Sequence, residues 1–322
     1  MRNNDKMHDK YLPFTEKVIK EHLYGGDGRN KNSIENQLIY YKNSIKRFKD
    51  YQWGKENIKG KPLKETSFPC QIQKDERFWT MNTLLSIFYS QNRTKEFVRL
   101  FKKGYSQNVP KLLDLNSWDD CFQSDNLGLY FEVDLPSPID YKDYLLKKYK
   151  DKKSNQHQIV SHILASACNK KKLEGSTQVD AIIINPDNGF GVIIEAKVLS
   201  DISISITYDL LRNQIARTID VMLEKNEKMK PPFIDRNPDK TIFLLLTPKL
   251  FKNNPWSRFY GYKMRDYKDP EKGVDYLKED LPHRTEEVLK NIPSRIGWLT
   301  WKDFKDVNNQ CSPWDIDYDT YF

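Results

Sequence analysis

The sequence predicts an α/β fold in which a mixed sheet is flanked by helices and follows a mostly helical N-terminal region. Three apolar segments with strand character, at 179–184, 191–198 and 241–247, predict the sheet. A helical pattern at 208–223 lies between the second and third segments. Because a helix between two strands usually connects parallel neighbours, the third strand is expected to run parallel to a strand of the preceding pair.

The first 150 residues are expected to be mostly helical, because their apolar residues recur at intervals of three and four. The segment 33–51 spaces Ile34, Leu38 and Tyr41 in this way, and Ser33 is a suitable N-cap. We predict that residues 1–150 form one unit that contacts substrate or a partner. Further helical segments are predicted at 78–89, 94–105 and 141–149, with an acidic loop or short irregular helix at 116–126.

Residues 151–322 are predicted to form the domain that contains the sheet, with an acidic tail from Asp306 onward. A helix is predicted at 154–169, before the first strand. The first two strands are expected to form a hairpin, because residues 185–189 supply turn-forming residues between two apolar runs. One more strand is predicted near the end, at 296–301.

The composition argues against several classes of protein. The longest apolar runs, such as 242–246, are far shorter than the ~20 residues that span a bilayer. The first residues lack the apolar stretch of a secretory signal, so neither a membrane protein nor an exported one is expected. The four cysteines show no metal-binding spacing, and we expect them to be reduced thiols in the cytoplasm.

The chain is basic, and its positive excess is concentrated in the first half. Lysine and arginine outnumber aspartate and glutamate by 53 to 45 overall, and by 27 to 20 within residues 1–150. A basic surface suits a protein that binds polyanions, since contacts with phosphates supply much of the affinity. A lysine-rich surface that is simply solvated would give the same excess, so charge alone does not establish nucleic-acid binding.

Three charged residues interrupt the apolar strands and carry the chemistry that the sequence predicts. Alternation along a strand places Glu195 and Lys197 on one face, and the hairpin can bring Asp180 beside them. Two carboxylates supply hard oxygen ligands suited to Mg²⁺, which keeps several waters when it binds. A neighbouring ammonium can orient or deprotonate a water and offset charge in a phosphorane-like transition state.

The same residue pattern has a simpler interpretation. Aspartate two residues before lysine also occurs at 140, 151, 266 and 303, as expected in a chain with 30% charged residues. An edge strand whose Glu195 and Lys197 are solvated would look the same in the sequence. The apolar surroundings favour the functional interpretation, because burying unpaired charge is costly.

With helices before and after, Asp180 followed by Glu195-Ala-Lys197 resembles the PD-(D/E)xK nuclease superfamily of restriction-endonuclease-like enzymes. The resemblance covers roughly residues 154–247, and Val179 stands where the eponymous motif has proline. It implies a restriction-endonuclease-like core and metal-dependent hydrolysis of phosphodiester bonds. In that comparison Asp180 and Glu195 take the metal-binding positions and Lys197 the position of the catalytic lysine, with Mg²⁺ as cofactor and Mn²⁺ as a substitute.

Some members of the superfamily carry a glutamine and a tyrosine on the following helix. Here Gln214 is present, and Thr218 stands where the tyrosine would be. Helical geometry puts Gln214 on the flank of the buried stripe, where it could act at the site. Arg212 or Arg217 could approach a phosphate there, although a solvated polar face is an equal alternative for both arginines.

Glu174, just before the first strand, is a further candidate metal ligand. Some relatives use an acidic residue on the first core helix, but the segment 154–169 contains none. Glu174 could bind the metal directly or through water, or it could be an ordinary loop residue. The number of metal ions therefore stays open.

The aromatic and basic segment 256–268 is a second feature that suits nucleic acid. Trp256, Tyr260 and Tyr262 alternate there with arginine and lysine. Cationic groups bind phosphates, and aromatic faces stack on unpaired bases. An amphipathic segment that packs on the sheet would have the same composition.

These features lead to the hypothesis of a Mg²⁺-dependent DNA endonuclease whose partner is duplex DNA. A role in restriction or defence follows from the resemblance alone. The alternative is a catalytically silent module that binds nucleic acid or a protein partner, and the complete set of three charged residues argues against it. The sequence leaves open whether DNA or RNA is cut, which bases are read, and whether two copies pair as a homodimer.

Overall fold

The computed structural model describes residues 6–8, 12–24, 34–57, 71–150, 174–203 and 212–311. These residues form an α/β fold with a five-stranded mixed sheet flanked by helices. A separate two-stranded ribbon consists of β1 (Lys6–His8) and β2 (Leu12–Thr15). The strands of the main sheet are β3 (Gly128–Leu135), β4 (Thr177–Asn185), β5 (Phe190–Ala196), β6 (Thr241–Thr247) and β7 (Ile296–Thr300).

Helices lie before β3, between β3 and β4, and at several places after β5. Those before β4 are α1 (Glu16–His22), α2 (Ile34–Asn57), α3 (Gln71–Lys74), α4 (Glu76–Phe88), α5 (Arg93–Gly104), α6 (Trp118–Phe122) and α7 (Ile139–Lys150). Those after β5 are α8 (Gln214–Met222), α9 (Lys249–Asn253), α10 (Phe259–Tyr267), α11 (Gly273–Asp280), α12 (Glu286–Leu289) and α13 (Trp301–Val307).

The main sheet follows the order of the chain, from β3 at one edge to β7 at the other. β4 is antiparallel to both β3 and β5, whereas β5, β6 and β7 run parallel. Ala181 pairs with Ile194 across the hairpin, and Glu195 pairs with Leu245 of β6. Gly189 closes the hairpin turn with a φ of 78°, a conformation that costs glycine little. β5 is therefore the central strand of the sheet.

Two apolar clusters cover the two faces of the sheet. Alternate residues of β5 project into different clusters, as strand geometry requires. One cluster packs α4 and α5 against the sheet, with buried residues that include Trp79, Leu84, Phe97, Phe101, Ala181, Val192 and Ile194. The other packs α8 and α10 against the sheet, with buried residues that include Ile182, Ile193, Ile215, Ile219, Phe243, Tyr260 and Tyr267.

Most predicted elements lie where the sequence placed them. The helical patterns near the N-terminus correspond to α2, α4, α5 and α7, and the acidic segment contains the short helix α6. The predicted hairpin is β4–β5, the third strand β6 runs parallel to β5, and the last predicted strand is β7. The helix predicted at 154–169 and the N-cap Ser33 lie outside the described residues.

The structure differs from the sequence-based prediction in two regions. The N-terminal region, expected to be mostly helical, also contributes the ribbon β1–β2 and the edge strand β3, in which Glu132 and Asp134 alternate with apolar residues. The helix expected from residue 208 begins at Gln214, because Asn213 is extended and its side chain accepts a hydrogen bond from the Ala216 amide. Residues 204–211 lie outside the described residues, and the division near residue 150 stays a prediction.

Two further expectations can be compared with the structure. None of the helices in the described ranges is long and apolar enough to cross a membrane. Cys121 and Cys311 are free thiols and both are buried. Cys70 and Cys168 fall outside those ranges.

Candidate active site

The three charged residues singled out in the sequence lie together at one end of the central strand. Asp180 lies within β4, Glu195 is the penultimate residue of β5, and Lys197 follows the strand directly. The Glu195 and Lys197 residues are only 1% and 5% exposed. A solvated edge strand is therefore excluded as the explanation of their spacing, because β5 is central and both residues are buried.

Hydrogen bonds fix these groups relative to one another. The Lys197 ammonium donates to Glu195 Oε1 at 2.7 Å, and Asp180 Oδ2 accepts from the Ala196 amide at 2.7 Å. The Lys197 amide donates to Leu246 O at 2.8 Å, so the backbone beyond β5 remains attached to β6. Trp301 Nε1 donates to Lys197 O at 3.1 Å. The backbone that carries the lysine is thus held from both sides.

Glu76 joins the cluster from α4, and the sequence did not reveal it. Its Oε2 lies 3.7 Å from Lys197 Nζ, and its Oε1 accepts from the Val198 amide at 3.1 Å and from the Ser200 hydroxyl. Glu76 is the first residue of α4, more than a hundred positions before Lys197. In the sequence, the N-cap Asp75 indicates only that a helix begins at Glu76. It gives no information about the contact between Glu76 and Lys197.

Gln214 contacts the cluster from the first turn of α8. Its Nε2 donates to Glu195 Oε1 at 2.5 Å, and its backbone amide donates to Ser203 O at 3.1 Å. The Asn213 cap sets where α8 begins and so directs Gln214 toward β5. The structure therefore places Gln214 at the site, as the flank position in the helical pattern predicted, and its catalytic role stays a prediction.

Tyr260 of α10 is a further polar group near the cluster that sequence reasoning did not assign to it. Its hydroxyl is buried and has no hydrogen-bond partner among the described residues. Burial raises the pKa of this phenol, and the charges of Arg258, Asp201, Glu76 and Lys197 also act on it. Asp201 accepts from the Tyr260 amide at 3.1 Å and so fastens α10 to the loop beyond β5.

Burial and crowding of like charges determine the protonation of the cluster. Burial, with a further contribution from Asp180, raises the pKa of Glu195 to about 8. Burial also raises the pKa of Asp180. Burial alone would lower the pKa of Lys197, but the three carboxylates of Glu195, Asp180 and Glu76 outweigh it and raise that pKa. Lys197 is therefore an ammonium, and Glu195 in the metal-free protein is protonated below about pH 8.

The residues present suit a divalent cation that keeps part of its water shell. Glu195 Oε2 is buried and has no hydrogen-bond partner among the described residues, so one carboxylate oxygen is available. Asp180 supplies a second carboxylate beside it. In the described ranges no three His, Cys, Asp or Glu side chains stand together as a metal-ligand set. Mg²⁺ is often held by only one or two carboxylates together with several waters.

Glu174, the other candidate ligand, contacts a different set of groups. Its Oε1 accepts from Arg212 and from Arg217 Nε, the latter at 3.2 Å. Arg212 also pairs with Asp220, and its guanidinium lies 3.4 Å from the centre of the Tyr141 ring. Arg212 and Arg217 are therefore buried in ion pairs. The interpretation of the two arginines as part of a solvated polar face is wrong, and neither guanidinium is an exposed phosphate-binding group.

No protein-family model, curated protein or solved structure matches this chain. Fold and site geometry are therefore the observations from which a function has to be inferred.

The raised pKa of Glu195 leads to a prediction about pH and Mg²⁺. Because Mg²⁺ binds the ionised carboxylate, binding below pH 8 should release about one proton. Affinity should then rise up to about tenfold per pH unit toward pH 8 and level off above it. In the metal-free protein, protonated Glu195 stabilises the fold, because its pKa is higher in the folded chain than in the unfolded one. This contribution is complete below the pKa of an ordinary glutamate and is lost as the pH rises through about 8.

Calorimetric titration with Mg²⁺ at several pH values, in buffers of different ionisation enthalpy, measures both quantities. Glu195→Gln is the matched control and should bind Mg²⁺ weakly and without proton release. A Mg²⁺ affinity that does not change between pH 6 and pH 8 would contradict the prediction.

Proposed function

We propose that this protein is a Mg²⁺-dependent endonuclease that hydrolyses phosphodiester bonds in DNA on a restriction-endonuclease-like core. The single observation that carries the proposal is the cluster of half-buried Asp180 with buried Glu195 and Lys197 at the end of β5. Burying such charge is costly unless it is paired or binds a ligand, and the Glu195 Oε2 atom has no partner among the described residues. A cluster of this composition suits phosphoryl chemistry.

The residues of the cluster have separable roles in this proposal. Asp180 and Glu195 hold Mg²⁺, and bound Mg²⁺ supplies Lewis-acid stabilisation of the charge that develops at the phosphate. Lys197 orients the attacking water and offsets negative charge in the transition state. Its raised pKa argues against a role as general base in the arrangement described here. Gln214 holds the Glu195 carboxylate in position through its amide.

The fold supports the proposal. The resemblance noted above implies a mixed sheet flanked by helices, and the sheet β3–β7 has that form. Asp180 and Glu195 lie on the two antiparallel strands of one hairpin, and α8 follows before β6. The order of strands, helix and charged residues is therefore compatible with a restriction-endonuclease-like core.

The proposal is tested by incubating purified protein with supercoiled plasmid, linear duplex and single-stranded DNA, and with RNA. Each substrate is tested in Mg²⁺, in Mn²⁺ and in EDTA. Cleavage of DNA in Mg²⁺ or Mn²⁺ that stops in EDTA is the expected result, and cleavage of closed circles distinguishes an endonuclease. Binding without cleavage under every condition would favour the catalytically silent module.

An exposed aromatic surface next to the site suits contact with nucleic acid. Trp256 and Tyr262 are 53% and 41% exposed, and their rings lie 5.0 Å apart. The Arg265 guanidinium covers the Trp256 ring at 3.9 Å. Arg258, two residues after Trp256, donates through its guanidinium to the carbonyl oxygen of Leu199, two residues beyond Lys197, at 3.3 Å. We call Trp256, Tyr262 and Arg265 the aromatic surface.

Removing the aromatic surface should weaken binding of single-stranded DNA. Base stacking on an aromatic ring is worth about 1–3 kcal/mol per base, so Trp256→Ala combined with Tyr262→Ala should raise the Kd at least about tenfold. Fluorescence anisotropy of a labelled oligonucleotide in EDTA measures the effect. Ile139→Ala, which removes a residue 62% exposed on α7, is the control. If the control and the double variant bind the oligonucleotide with equal affinity, the aromatic surface does not contact the substrate.

A further inference from the structure

A polar cavity lies at the β3 edge of the sheet, and one residue that lines it, Gln178, is two positions before Asp180 on β4. It has a volume of about 200 Å³ and lies between α2, α4 and the strands β3 and β4. The residues that line it include Gln37, Tyr40, Arg77, Glu132 and Gln178. Pockets for drug-sized ligands measure about 300–1,000 Å³, so this cavity suits a smaller group.

Glu132 has an unusual backbone in this cavity. Its φ is 55°, a value that residues other than glycine seldom adopt, although it lies inside β3. Its neighbours in the strand, Phe131 and Val133, pair with Ala181 and Val179, so Glu132 stands opposite Asp180. Such strained conformations tend to occur where a side chain has to be aimed at a ligand.

The electrostatics of the cavity do not favour an anion. Arg77 Nε lies 3.2 Å from Glu132 Oε1, and the Tyr40 hydroxyl donates to Asp75. Glu132 itself is buried, and its carboxyl oxygens are hydrogen-bonding groups in the cavity wall. Two carboxyl groups thus accompany one guanidinium, and that guanidinium is already paired.

The remaining lining groups suit a flat ligand with hydrogen-bonding edges. The Arg77 guanidinium lies 4.2 Å above the Tyr40 ring, which gives the cavity a flat wall. Gln37 Oε1 is buried there and has no hydrogen-bond partner within the described ranges. Gln178 contributes a second side-chain amide from β4. Amides and carboxyl groups are the side chains that read base edges in nucleic-acid complexes.

We infer that this cavity takes one unpaired nucleobase of the substrate, close to the phosphate that is cut. Two connections place it next to the cluster: Arg77 follows Glu76 directly on α4, and Glu132 stands opposite Asp180 in the sheet. An enzyme that extrudes a base into such a pocket reads it by hydrogen bonds and loses the stacking energy of the duplex. This inference rests on the proposed nuclease function and assigns its base preference to the cavity.

The test uses the full-length protein and oligonucleotides that carry 2-aminopurine at successive positions, in EDTA so that no strand is cut. This base fluoresces more strongly when it is unstacked. We expect a severalfold increase in fluorescence at one position near the cleavage site that is mapped separately in Mg²⁺. In Mg²⁺ the wild type should also prefer certain bases at that position.

Gln178→Ala and Glu132→Gln are the cavity variants, and Gln123→Ala, an exposed glutamine at the end of α6, is the matched control. Each cavity variant should lose about tenfold or more of the discrimination between bases, while the control keeps it. Gln178 is exposed, so its variant should fold even if Glu132→Gln does not, and melting curves check both.

The possible failures can be told apart. If DNA is cut but no position responds to the protein and the cavity variants discriminate as the control does, the cavity does not hold a base and the nuclease proposal stands. If neither DNA nor RNA is bound or cut, the nuclease proposal and this inference fall together.

Discussion

Replacing Asp180 or Glu195 by alanine is expected to reduce the rate of Mg²⁺-dependent DNA cleavage by at least about a thousandfold. Each substitution removes a carboxylate that holds the ion, and a loss of about 4 kcal/mol of transition-state stabilisation corresponds to that factor. DNA affinity in EDTA should stay the same or rise, because affinity depends on dispersed basic residues and a source of repulsion has been removed. Single-turnover cleavage and anisotropy binding measure the two quantities.

Isosteric variants separate loss of chemistry from loss of fold. Asp180→Asn and Glu195→Gln keep the side-chain volume, and they should be as inactive as the alanine variants. Glu279→Gln changes an exposed carboxylate on α11 and serves as the control for charge. Undiminished Mg²⁺-dependent cleavage by both Asp180→Ala and Glu195→Ala would remove these residues from the mechanism and favour a silent nucleic-acid-binding module.

The part of the site that could be predicted from the sequence is the part encoded within a short stretch of chain. Asp180, Glu195 and Lys197 lie on one hairpin, and their apolar neighbours indicated buried strands. A central strand, buried on both faces, reads as a continuous apolar run, so two charges within it stood out. Gln214 follows the same logic, because helical spacing placed it on the flank of the buried stripe.

The rest of the site depends on packing between segments far apart in the chain. Glu76 approaches Lys197 because α4 lies against the sheet, and the helix pattern of α4 does not specify which strand its first turn meets. β3 was not predicted, although Leu129, Phe131, Val133 and Leu135 alternate with other residues as in a half-buried strand, and Glu132 is the residue whose φ departs from ordinary strand geometry. Both omissions affect the same corner of the site, next to Asp180.

The buried arginines Arg212 and Arg217 are a further case in which the sequence could not show what packs against a helix. Arg212 and Arg217 are near the start of α8, which in the sequence suggested an exposed phosphate-binding face. Their partners Glu174 and Asp220 convert that face into a buried ion-pair network. Spacing along one helix cannot show this, because the energetic choice between solvent and ion pair depends on what covers the helix.

Replacing Lys197 by alanine is expected to suppress DNA cleavage by at least about a hundredfold while Mg²⁺ still binds. The ammonium acts on the water and on transition-state charge, effects that each contribute factors of about 10²–10³ in enzymes. Its loss also leaves the buried Glu195 carboxyl group without its closest cation, which is destabilising above all where that group is ionised. Lower thermal stability of Lys197→Ala without Mg²⁺ is therefore part of the prediction, and bound Mg²⁺ should restore more stability to it than to the wild type.

Lys197→Arg distinguishes the chemical role from simple charge balance. A guanidinium keeps the positive charge near Glu195, so stability should recover, but its planar fork cannot replace a compact ammonium and cleavage should stay low. Lys302→Ala, which breaks an exposed pair with Asp306 on α13, is the matched control for loss of a lysine and should change neither quantity. Thermal melting with and without Mg²⁺, together with single-turnover cleavage, gives the comparison. Full cleavage by Lys197→Arg would show that the site needs only a positive charge, and full cleavage by Lys197→Ala would reduce Lys197 to a structural partner of Glu195.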